Sequence, residues 1–123
     1  MAELRTSEGS LYFYTHYTGH KLPDDAKDAL ALASSRRHDE PYALRRIVDH
    51  LIFASGSRDQ ETNSGLMLSP NAEDEYGMLN SSPCSVLIDL VTWTMEAFDF
   101  HRMAKEHVMY SFPDGSARNE RGN

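Results

Sequence analysis

Two stretches of patterned apolar residues organise the chain. From Leu11 to Tyr17 the side chains alternate as in a strand, with Leu11, Phe13 and Thr15 on one face and Tyr12, Tyr14 and His16 on the other. The second face is aromatic and carries a polar tip at every position. From Leu44 to Ile52 the spacing changes: Leu44, Ile47, Val48, Leu51 and Ile52 form the i, i+3, i+4, i+7, i+8 stripe of a helix packed on a core. Asp39 suits the N-cap of this helix, Glu40 and Pro41 its first turn, and Ala54 its end. Arg45, Arg46 and Asp49 fall off the stripe, toward solvent or a binding partner.

Thr18 and Gly19 break the first strand, and Pro23 opens a helix to about Arg37 whose inner face, Ala26, Ala29, Leu30 and Ala33, is small enough for close packing. Asp24, Asp25 and Asp28 complement the positive end of its dipole, the role a bound phosphate would otherwise take. Residues 1–9 show no periodicity and read as a flexible lead-in. Ser55 to Gly65 reads as an exposed loop, Leu66 to Leu68 as a short strand, Pro70 to Glu75 as an acidic turn and Tyr76 to Leu79 as another short strand. The apolar run Ser85 to Phe100 is too long for one strand and predicts a hairpin or bent pair turning near Asp89 to Trp93. His101 to Tyr110 fits a short helix or the end of a strand, and residues 113–123 read as a disordered tail. The expected fold is α+β, in β-α-α-β-β(-β) order, with two helices on one face of a small antiparallel sheet and one domain over residues 10–112.

With 123 residues, 40% hydrophobic and 25% charged, the chain can bury a core without metal or disulfide staples. No apolar run approaches a membrane span and residues 1–9 lack the core of a signal peptide, so the reading is a cytoplasmic protein. The lone Cys84 excludes an internal disulfide and a cysteine-based zinc site. A net charge of −7 argues against general nucleic-acid binding, since duplex affinity comes from cationic side chains. It suits a protein whose acidic surface docks on a basic partner. There is no Walker pattern, GxGxxG, GxSxG or HExxH, and no cofactor or metal is expected.

The segments YFYTHYTGHKLPDD, EPYALRRIVDHLI, ETNSGL and SVLIDLVTWTM, spread over residues 11–100, resemble short uncharacterised proteins of bacterial genomes, phages and prophages. The resemblance is one of order and texture. It implies a small accessory or counter-defence protein that acts by binding, and it transfers no catalytic residue.

Three functional expectations result. The first is a non-enzymatic inhibitor of a host or phage protein, with Asp24, Asp25, Asp28, Glu73, Asp74 and Glu75 as contact charges. The second is a nucleotide or anion binder that holds its ligand between the Tyr12, Tyr14, His16 face, with His20 beside it, and a corner formed by Arg36, Arg37, Arg45 and Arg46. The third is a small hydrolase with His16 or His20 as base. Open sheet edges also suggest a homodimer.

Overall fold

Helix formation and strand pairing follow the patterned segments closely. The computed structural model describes residues 1–16, 19–69, 84–99 and 104–111. Its elements are β1 (Ala2–Thr6), β2 (Gly9–Thr15), α1 (Leu22–Ala33), α2 (Glu40–Ala54), β3 (Ser64–Met67), β4 (Val86–Asp89), β5 (Thr94–Asp99) and β6 (Ala104–Ser111). They make an α+β fold with one sheet in the order β3-β2-β1-β4-β5-β6. The sheet is mixed. Its pairings are antiparallel except at the centre, where β1 runs parallel to β4.

The lead-in expected over residues 1–9 is instead β1, a central strand, and its turn into β2. Its two buried apolar residues, Ala2 and Leu4, are too few to register as a period, yet both are fully buried. The β1–β2 turn is held locally by the Thr6 hydroxyl, which donates to the Gly9 carbonyl at 2.7 Å. It is tied to the helices by the Glu40 carboxylate, which accepts from the Ser7 amide at 3.1 Å and the Ser7 hydroxyl at 2.7 Å.

One face of the sheet carries the helices. Ala2, Leu4, Phe13, Val86, Ile88 and Met95 share a core with Leu22, Ala26, Leu30 and Ala33 of α1 and with Ala43, Ile47 and Leu51 of α2. Each large apolar side chain buried there contributes about 1.5–3 kcal/mol. The alanine face of α1 lets α2 pack closely on it, and α1 lies against β4 and β5. Among the described residues, no helix is long and apolar enough to cross a membrane.

Two chain reversals depend on specific side chains. Helix α2 ends at Gly56, whose φ of 74° places it in the left-handed region. The Gly56 amide donates to the Phe53 carbonyl at 3.0 Å and the Ser57 amide to the Ile52 carbonyl at 3.3 Å, the paired bonds of a Schellman cap. Ser55 and Ser57, both buried, extend the cap: their hydroxyls are 2.6 Å apart, and the Ser57 hydroxyl also bonds that of Ser64 at the start of β3. Between β4 and β5 the expected hairpin is present, turning over Leu90 to Trp93 without an Asn-Gly pair. The Asp89 carboxylate supplies the turn instead, accepting from the amides of Val91 at 2.9 Å and Thr92 at 3.1 Å. The segment offered as helix or strand end is strand β6 over Ala104–Ser111. The expected turn at 70–75, the strand at 76–79 and the tail at 113–123 lie outside the described residues.

Both reversals are testable by thermal melts. Asp89→Ala leaves two turn amides without their acceptor and is expected to cost about 1–2 kcal/mol, whereas Asp89→Asn keeps an acceptor oxygen and most of that stability. Gly56→Ala is expected to cost about 1 kcal/mol, entirely from backbone strain. A Cβ at Gly56 meets nothing within 4 Å, so an unchanged melting temperature would show that the cap is not held in this conformation.

Candidate functional site

Strand alternation places the first candidate group on the face that carries no helix. Tyr12 and Tyr14 pack against Met1 and Met67 there, in a cluster separate from the main core. The Tyr14 and His16 rings meet edge to face with centroids 5.3 Å apart. Tyr14 is paired across the sheet with Gly65, and its ring lies so close to that residue that a Cβ would come within 2.6 Å of Tyr14 Cε1. The tyrosine is therefore engaged in covering an edge-strand glycine. His20 is exposed in the 3-10 turn Gly19–Lys21 before α1.

The arginines are spread over α2 and the connection before it. The Arg36 guanidinium stands over the Tyr42 ring at 5.6 Å, while Arg37 stands over the ring of Trp93 at 6.0 Å, at the β4–β5 turn. Arg45 and Arg46 are exposed on α2. All four belong to the helical layer or its connection, and the sheet separates them from Tyr12 and Tyr14. The ligand site expected between the two groups is not assembled, because period-two alternation sends Tyr12 and Tyr14 away from the face that Phe13 shares with the helices.

The acidic group also divides. Asp24 and Asp28 are exposed, whereas Asp25 is buried. Glu73, Asp74 and Glu75 lie outside the described residues. Burial pushes the Asp25 carboxyl above its ordinary value, with Lys21 and His50 drawing it partly back. Cys84 is an exposed residue, yet burial around its sulfur pushes the thiol up and disfavours the nucleophilic thiolate.

A different surface emerges on the outward side of α2. Tyr42, Arg46, Asp49 and Phe53 follow one another at i, i+4, i+7 and i+11, and Tyr42 and Phe53 are 56% and 59% exposed. Arginines bracket the row. Arg36 stacks on Tyr42 from the connection before the helix, and Arg58 stacks on Phe53 at 4.9 Å from the loop after it. Arg58 also binds the Asp49 carboxylate at 2.9 Å. Leu32, which is 42% exposed on α1, lines a shallow depression there together with Arg46, Asp49, His50, Phe53 and Arg58. The sequence did contain a signal for this row, namely helical spacing of aromatic and arginine residues on the side opposite the apolar stripe.

The Asp25 environment yields a pH-dependent expectation. A carboxyl whose folded pKa is raised favours folding while protonated, and that contribution is lost as pH rises from its unfolded pKa through the folded one. Asp25→Asn is therefore expected to raise the melting temperature at neutral pH and to lose that advantage at acid pH, where both chains are neutral at this position. A constant difference across the pH range would remove Asp25 ionisation as its cause.

Comparison with family models, with curated proteins and with solved structures finds no match to this chain.

Proposed function

We propose that the protein is a small binding protein acting by protein–protein contact, with the outward face of α2 as its contact surface. The observation that carries this reading is the exposed row of Tyr42 and Phe53, each stacked by an arginine, beside the half-exposed Leu32. Aromatic residues and arginine dominate the energetic centres of protein interfaces. A large apolar side chain left in water adds nothing to folding, whereas the same side chain covered by a partner gains about 1.5–3 kcal/mol. In the accessory-protein setting suggested by the resemblance, the partner is a host or phage protein.

The test is a pull-down from a lysate of the source cells at low salt, comparing three baits. The double variant Tyr42→Ser, Phe53→Ser is expected to lose the captured partner, since such anchors each contribute about 2 kcal/mol or more. Val91→Ser is expected to retain it, because Val91 is equally exposed but lies on the β4–β5 turn. Identical capture by all three baits would overturn the assignment of this surface.

A further inference from the structure

The contact surface is rich in arginine. Residues 34–58 carry five arginines, of which Arg36, Arg45, Arg46 and Arg58 are exposed on or beside the row, in a chain whose net charge is −7. Exposed Arg45 and Arg46 lie between the two ring-stacked arginines of the row. Among these cations, Arg58 already holds a carboxylate, that of Asp49, and both partners are about half exposed, at 50% and 48%. An ion pair this exposed contributes only about 0–1 kcal/mol, so an incoming carboxylate can replace Asp49 at little cost. Beneath it, Leu32 and Phe53 give the depression an apolar floor.

Resting on the reading of α2 as a contact surface, we propose that its partner presents a short acidic segment carrying an apolar anchor. The carboxylates of that segment pair with Arg46 and Arg58, and the anchor sits between Leu32 and Phe53. Eleven residues separate Tyr42 from Phe53 on α2, so the row spans roughly 16 Å at the helical rise of about 1.5 Å per residue. That length matches about three helical turns or about five extended residues of a partner chain. The opposite charge of the surrounding molecule favours a short segment over an extended polyanion. A nucleic-acid strand or an anionic bilayer reaches beyond the patch to the acidic remainder, whereas a short peptide stays within about one Debye length, ~8–10 Å, of the arginines.

The experiment uses the full chain and a fluorescein-labelled peptide of about twelve residues in which Leu and Phe alternate with Asp and Glu, read by fluorescence anisotropy. The same peptide with Lys at every acidic position, a thymidine oligonucleotide of similar length and phosphatidylserine vesicles serve as competitors. Expected is binding of the acidic peptide only, weakened about tenfold or more between roughly 50 and 300 mM salt. The double variant Arg46→Gln, Arg58→Gln is expected to weaken it about tenfold, while Arg5→Gln, which removes one charge from the helix-free face, leaves it within about twofold. Circular dichroism establishes that each variant is folded. Equal binding of the lysine peptide, indifference to the arginine variants, or tighter arginine-dependent binding of the oligonucleotide or the vesicles would overturn the proposal. If Tyr42→Ser, Phe53→Ser abolishes capture of the cellular partner while the acidic peptide fails to bind, the contact surface stands and its acidic partner does not.

Discussion

The parallel pairing of β1 with β4 is the constraint on which the architecture depends. It joins two otherwise separate antiparallel units, the β1-β2-β3 group and the β4-β5-β6 meander, into one sheet. Its register sets Ala2 beside Val86 and Leu4 beside Ile88, which lays a continuous apolar floor under α1. A slip of one residue would place Glu3 and Arg5 under the helices and Ala2 and Leu4 in their stead on the open face. The open face adds its own lock: Arg5 lies 3.5 Å from the Glu3 carboxylate and 3.9 Å from that of Asp89, and the Leu90 amide donates to the Arg5 carbonyl at 2.9 Å. Asp89 thus touches both the seam, through Arg5, and the turn that starts β5.

The same economy links the end of α2 to the proposed contact surface. A helix that ends in a left-handed Gly56 sends the chain back along its own last turns, and here the returning residues are Ser57 and Arg58. Ser57 anchors the reversal through its buried hydroxyl. Arg58 then reaches Phe53 and Asp49, one and two turns back along the helix. The cap is therefore a structural cause of the surface and not merely its neighbour. Gly56 sets the direction from which Arg58 arrives.

How much was legible in the sequence follows from the kind of information each feature carries. Helix α2 was readable because its apolar stripe and first-turn Glu40 and Pro41 act within a few residues, and the β4–β5 hairpin because its apolar run exceeds one strand. Strand β1 was not, since Ala2 and Leu4 are too few to show a period and one of its two partners, β4, arrives dozens of residues later. The two faces of β2 were correctly separated by alternation, but which face the helices would cover is a tertiary choice, so Tyr12 and Tyr14 were matched with arginines that lie across the sheet. Asp25 shows the same limit on a helix: first-turn position favours an exposed carboxylate, and burial of that side of α1 decides otherwise. The row on α2 was half visible, because the placement of Arg45, Arg46 and Asp49 off the apolar stripe was apparent, while the returns of Arg36 and Arg58 onto the rings are long-range facts.

Energetics separate the residues that hold this fold from the exposed row on α2. Trp93 is a case of pure stability: its φ of 58° costs about 1–2 kcal/mol, and the buried indole, only 1% exposed, more than offsets that. Its Nε1–H finds no acceptor among the described residues, a further cost that the apolar burial must exceed. Tyr42 and Phe53 have no such return. Their stacked arginines contribute about 0.5–1 kcal/mol at exposed sites and the Arg58–Asp49 pair at most about 1 kcal/mol, which is comparable to what a solvated polar residue achieves without exposing a ring. The row is therefore nearly neutral for the isolated chain, and a surface that excluded water from it would add the burial that folding leaves unused. That asymmetry is why loss of the aromatic rings should separate binding from folding, as loss of Trp93 cannot.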